Sequence, residues 1–126
     1  MKQIELYNAV PALRKLAAAE GLPARQLYAL LRLTRDAQRE TSLFQDATLR
    51  VYRECGTADG EGYRVTPGRE AELAERLREI GEAEVEGVAP ITIDYQDSMR
   101  LSVNDIELLE GIVTLREEED TDAERN

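Results

Sequence analysis

Histidine is absent from this chain, and cysteine occurs once, at Cys55. Those two absences exclude Ser-His-Asp and Cys-His nucleophilic sites, histidine-based zinc or iron centres, and cysteine-based zinc or iron-sulfur sites. An internal disulfide is excluded as well, which fits a reducing compartment. Lysine is nearly missing: Lys2 and Lys15 are the two amines available as nucleophiles. A catalytic mechanism would have to rest on carboxylates, tyrosines and arginines, and the expectation is a protein that is not an enzyme and uses no cofactor. No apolar run approaches the ~20 residues that span a bilayer. The opening segment MKQIELYNAV lacks the apolar centre of a secretory signal, so a cytoplasmic setting is expected.

What is present is charge, unevenly placed. Residues 1–55 hold nine Lys/Arg against six Asp/Glu, whereas residues 56–126 hold seven against twenty, so the net charge of −10 comes from the second half. An acidic half of that size repels nucleic acid and membrane surfaces and attracts basic partners. Of the sixteen basic residues, fourteen are arginine. A chain of 126 residues with 42% hydrophobic content is long enough for one domain that buries about two thirds of its unfolded surface.

Hydrophobic spacing sets the expected elements. In KQIELY, residues 2–7, Ile4 and Leu6 alternate with polar groups and read as a strand. Val10, Leu13, Leu16 and Ala17 then follow helical spacing, with Asn8 as cap and Pro11 in the first turn. Gly21 ends that helix and GLPA starts another with Pro23 near its first position, forcing an antiparallel helical hairpin. From about Ala24 to Cys55, Leu27, Leu30, Leu31, Leu33, Ala37, Phe44, Ala47 and Val51 recur at three and four without Gly or Pro. That is a rod of about 48 Å, which must protrude, pair with another chain, or break. ETSLFQ, where Ser42 and Gln45 match a capping box, is where it would break, and continuity is the favoured reading.

Residues 56–66, GTADGEGYRVT, form a glycine loop with a short strand at Tyr63–Val65. Thr66 is the expected cap of a third helix with Pro67 in its first turn. On that helix Leu73, Ala74, Leu77, Ile80 and Val85 make an apolar face, opposite an anionic row of Glu72, Glu75, Glu79, Glu82 and Glu86. Ile91, Ile93 and Tyr95 alternate with Thr92, Asp94 and Gln96, the pattern of an antiparallel strand with one wet face. Its candidate partners are residues 2–7, 63–65 and 112–115. Ser102 with Asp105 caps a fourth helix that Gly111 ends. The expected fold is α+β and mainly helical: a long antiparallel helical hairpin, a small antiparallel sheet and a short C-terminal helix. Residues 1–115 form the domain and residues 116–126 an acidic mobile tail.

Candidate sites are sparse. The glycine loop lacks the Lys-Ser/Thr pair of a phosphate loop. As a calcium loop from Asp59 it reaches Glu70 at the twelfth position but has Arg64 where glycine should stand. Asp94 and Asp97 flank a strand end, an arrangement too common to assign to metal or acid-base work. Cys55 continues the stripe of Val51 and Phe44 as a buried hydrophobe. Arg25, Arg32, Arg39 and Arg53 align at multiples of seven, with Arg32 spaced to pair with Asp36, Asp46 with Arg50, and Arg50 with Glu54, as on a solvated face. Regularly spaced carboxylates such as Glu72, Glu75, Glu79, Glu82 and Glu86 can also imitate a phosphate backbone.

The order of elements, from LPA and YRECG through ELAERLREIGEAEVEG and PITID to LSVNDIELLEGI, resembles a group of small proteins of tailed bacteriophages and prophages that carry a domain of unknown function. The resemblance implies a bacterial host cytoplasm or a virion, and a role in virion assembly or takeover of the host. The expected function is non-enzymatic protein–protein binding, structural or assembly-related. The partner is another protein or a second copy, with self-association through Leu30, Leu33, Phe44 and Val51. The alternative is an acidic inhibitor of a host nucleic-acid-binding defence protein, anti-CRISPR-like or anti-restriction-like, acting through the five glutamates. Neither reading involves a metal, a membrane or direct nucleic-acid binding.

Overall fold

A computed structural model describes residues 1–117. Along them run α1 (Gln3–Ala17), α2 (Ala24–Cys55), β1 (Gly56–Asp59), β2 (Gly62–Val65), α3 (Glu70–Glu82), β3 (Ile91–Asp94), α4 (Val103–Leu109) and β4 (Val113–Arg116). The class is the expected one: mainly helical α+β, with an α1–α2 hairpin, a small antiparallel sheet and a short helix near the C-terminus.

The long helix is continuous through Ser42. Thr41 and Thr48 donate their hydroxyls to the carbonyls of Gln38 (3.1 Å) and Phe44 (2.9 Å), so these polar side chains find partners inside the helix and do not end it. Its buried stripe is Leu30, Leu33, Ala37, Thr41, Val51 and Cys55. Two separate clusters take up that stripe. Leu30, Leu33 and Ala37 pack with Leu6, Leu13 and Leu16 of α1, Ile93 of β3, Leu109 of α4 and Met99. Val51 and Cys55 pack with Leu73 of α3, flanked by half-buried Val65, Leu77 and Ile80. Each leucine buried this way contributes about 1.5–3 kcal/mol. The rod does not break, and each half has its own cover.

Residues 2–7 are helix, not strand. Alternation of Ile4 with Leu6 spans too few residues to fix a period, and Leu6 continues instead to Ala9, Leu13 and Leu16, all buried on one helical face. Ile4 is turned off that face and is 39% exposed. Lys2 precedes the helix in an extended conformation, and the Glu5 carboxylate accepts its backbone N–H at 2.8 Å. Asn8 is therefore internal and Pro11 sits at mid-helix, where it has no N–H to give the Tyr7 carbonyl. All that remains of the expected strand is a single antiparallel bridge between Lys2 and Glu84.

The glycine loop is a hairpin, β1 with β2, paired Gly56 to Val65 and Asp59 to Gly62. Gly60 takes φ +65° at its first turn position, as a turn matching the strand twist requires. Thr66 does not cap α3. Arg69 N–H donates to the Thr66 carbonyl at 3.0 Å and Gly68 has φ +91°, so TPGR closes as a proline-glycine turn and the helix begins only at Glu70.

The strand at Ile91–Asp94 pairs in parallel with Val113–Arg116, correcting the antiparallel expectation for this strand. The connection from Tyr95 to Ile112 carries α4 across, long enough for a parallel crossover. Ile93 is buried between the sheet and the helices, whereas Tyr95 lies beyond the strand and is 42% exposed. Away from β4, the Gln26 side chain accepts from Asp94 N–H (2.8 Å) and donates to its carboxylate (2.9 Å). Arg116, assigned above to the tail, belongs to β4 and pairs with Asp94 at 2.7 Å. The remainder of the expected tail, residues 118–126, lies outside the described residues.

Ser102 caps α4 as expected: its hydroxyl accepts from Asp105 N–H, and Asp105 accepts from Ser102 N–H at 3.0 Å. The Asp105 carboxylate also takes Lys15 of α1 at 2.7 Å. Hydrogen bonds from Lys15 and from Ser102 hold it below the usual carboxylate range. At Asp94, those from Gln26 and Arg116 do the same.

Two outcomes follow for stability. A folded-state carboxylate held below its unfolded value stabilises the fold above that unfolded value, near pH 3.9, and loses the contribution as pH falls. Urea unfolding of Asp105→Asn is therefore expected to show a lower midpoint than the natural chain at neutral pH and a shrinking gap as pH drops to about 3. A Cβ at Gly56 would stand 2.5 Å from the Arg64 carbonyl oxygen. Gly56→Ala is expected to cost about 1–3 kcal/mol by the same measurement.

Candidate functional site

The two clusters along α2 leave a gap between them, and the gap is a groove. Ile4 and Tyr7 of α1, Phe44 and Leu49 of α2, and Leu77 of α3 line an open recess of about 750 Å³, rimmed by Gln45, Asp46, Arg78 and Glu82. Each wall has a local cause. Ile4 and Tyr7 lie off the Leu6–Leu13 face that α1 gives to the first cluster. Phe44 stays on the α2 stripe at the level where neither cluster covers it, and Leu49 sits off the stripe and is 48% exposed. Gly81 is buried against α1, where an added Cβ would meet the Ile4 Cβ at 3.4 Å, an ordinary van der Waals contact.

The floor is an aromatic pair, Tyr7 and Phe44, with ring centroids 5.3 Å apart and planes tilted by 44°. Such a pair is rigid and stabilising by about 0.5–1.5 kcal/mol beyond its area. Tyr7 and Gln45 also border a more polar recess of about 540 Å³ that continues past Pro11, Arg14, Gln38 and Ser42. Apolar and polar recesses thus adjoin at Tyr7 and Gln45.

At the rim, Arg78 bonds Glu82 at 2.6 Å and also Glu75. The hydrogen bond to Glu75 raises Arg78 and lowers Glu75 from their ordinary values. Asp46 is exposed and has no ion-pair partner among the described residues. With Arg78 shared by two carboxylates, the rim keeps an excess of negative charge.

Sequence-predicted residues fall in and out of this picture. Leu30, Leu33 and Val51, expected on an intermolecular face, are buried inside the chain's own clusters; Phe44 alone of that set reaches the groove. The glutamate face is not wholly anionic. Glu72 is bound by Arg69 at 2.9 Å, whose hydrogen bond lowers its pKa, and Glu75 and Glu82 by Arg78. Glu86 lies past the end of α3.

On α2, Asp36 pairs with Arg39 and Glu54 reaches Arg76 of α3 at 2.6 Å, in place of the i,i+4 pairs predicted for them with Arg32 and Arg50. Cys55 is buried as expected, with Arg76 4.0 Å from its sulfur. Asp94 is occupied by Gln26 and Arg116. Among the described residues no three His, Cys, Asp or Glu side chains gather as a metal site would require, and no helix is long and apolar enough to cross a membrane.

Sequence reasoning missed Ile4, Tyr7 and Leu49 as a site. One signal was available: Leu43 and Leu49 stand outside the apolar stripe of α2, which a helix buried on one face does not need. No family model, curated protein or solved structure matches the chain.

Groove and core leucines are distinguishable by substitution. Leu49→Lys is expected to change unfolding free energy by about 1 kcal/mol or less, and Leu33→Lys by about 4 kcal/mol or more, in paired urea titrations.

Proposed function

We propose that this chain works by binding another protein, and that the groove between α1, α2 and α3 is where it does so. The observation that carries the reading is the convergence of Ile4, Tyr7, Phe44, Leu49 and Leu77 on one open recess. Ile4, Tyr7 and Leu49 are large apolar side chains left exposed, at 39%, 40% and 48%. Scattered exposed leucines need no explanation, but a contiguous apolar recess drawn from three helices, rimmed by polar residues, is the form of a recognition surface. An assembly role in a tailed phage or prophage, as the resemblance implies, is a setting in which such a binder would operate.

The groove supports this better than either residue set named from the sequence. Self-association through Leu30, Leu33 and Val51 would require opening the core. Imitation of nucleic acid would require a row of uncommitted carboxylates, and Glu72, Glu75 and Glu82 are already held by arginines on their own face.

Panning a displayed library of random peptides against the folded chain tests the reading. Expected is enrichment of apolar-rich peptides whose affinity drops by about tenfold or more with Leu49→Lys and is unchanged with Tyr28→Ala, an exposed aromatic residue of α2 that does not line the groove. Peptides that bind the Leu49→Lys variant as well as the natural chain would place recognition elsewhere.

A further inference from the structure

Resting on the reading of the groove as a binding surface, we infer that its occupant is a basic amphipathic α-helix of a different protein. The first argument is backbone chemistry. The apolar wall of Phe44, Leu49 and Leu77 lies within α2 and α3, where N–H and C=O groups are spent inside the helices, and the main-chain groups without an intrahelical partner, at Ile4, Gly81, Glu82 and the Tyr7 carbonyl opposite Pro11, lie outside that wall. That wall therefore offers side chains and no main-chain partners. An extended peptide laid over Phe44, Leu49 and Leu77 would strand its own N–H and C=O groups against an apolar wall, at the penalty of burying unpaired polar groups. A helix brings its backbone already satisfied and presents only an apolar stripe, with anchors spaced at three and four.

The second argument is charge. Asp46 has no ion-pair partner among the described residues, and Arg78 is outnumbered by Glu75 and Glu82 around it. The whole chain carries a net −10. A second copy would bring the same excess of negative charge to an acidic rim, and an acidic helix or a fatty-acid carboxylate would meet the same repulsion. Lys or Arg residues flanking the apolar anchors would meet Asp46 and Glu82. The polar recess beside Tyr7 and Gln45 carries Arg14 and no carboxylate, so the basic flank is expected at the Asp46 and Glu82 end.

The test uses the folded full-length chain and two displayed libraries that share fixed apolar anchors and randomised flanking positions. One is helix-forming, and the other carries prolines that keep it extended. Expected is enrichment from the helical library alone, with Lys and Arg dominating the flanks. Asp46→Lys, an exposed change, is expected to weaken the selected peptides about five- to tenfold and to shift a fresh selection toward Glu and Asp flanks.

Neutral or acidic flanks selected by the natural chain, or enrichment from the extended library, would overturn the inference while leaving the groove as a binding surface. So would light scattering that shows a dimer abolished by Leu49→Lys, since the occupant would then be a second copy. Enrichment from neither library, with circular dichroism showing the chain folded, would sink both the inference and the reading it rests on.

Discussion

One helix of 32 residues with a single apolar stripe is the constraint from which the rest of the architecture follows. A stripe of that length cannot be buried by one partner in a chain of this size, because a domain of 126 residues has a radius of gyration of only ~14 Å. The chain answers by covering it twice. α1, β3, α4 and β4 take the first half, and α3 with the β1–β2 hairpin takes the second. Hydrophobic burial at each end is local. The helix between them transmits position but not packing.

The groove is what two covers on one rod leave behind. Where they meet, Phe44 is still on the stripe but no element lies fully over it, and Tyr7 from one side and Leu77 from the other come only close enough to make walls. Gly81 of α3 packs against Ile4 of α1 where the walls meet. The recess is therefore built into the register between two separately formed clusters, and its shape is coupled to both. Its arginine is held locally: Arg78 is clamped by carboxylates one turn away on either side of it along α3, which leaves Asp46 on α2 as the uncommitted charge.

How much of this was legible in the sequence depends on range. The continuity of α2 was readable because an uninterrupted stripe without glycine or proline is a local property, and the Ser102–Asp105 cap because both hydrogen bonds lie within one turn. The strand pairing was not. Ile91 and Ile93 alternate identically whether their neighbour runs parallel or antiparallel, and the pairing with residues 113–116 joins segments separated by α4, which local pattern does not report. At the amino terminus, Ile4 and Leu6 satisfied a two-residue period by coincidence, and only Leu13 and Leu16 further on settle the helical one. Thr66 followed by Pro67 imitates a helix start, but Pro67-Gly68 is itself a turn signal, and the left-handed glycine forbids the helix from starting there. The groove was least readable, because Ile4, Tyr7, Leu49 and Leu77 become neighbours only when three helices take up their angles.

The amide of Gln26 has a bearing on how this molecule behaves in company. A two-stranded parallel sheet has outer margins whose main-chain groups invite further strands from neighbouring molecules, the first step toward fibrous association. By accepting from the Asp94 N–H and donating to the Asp94 carboxylate, a single side chain from α2 takes up one outward-facing main-chain donor of β3. That donor is therefore already engaged and is not open to a strand from a neighbouring molecule.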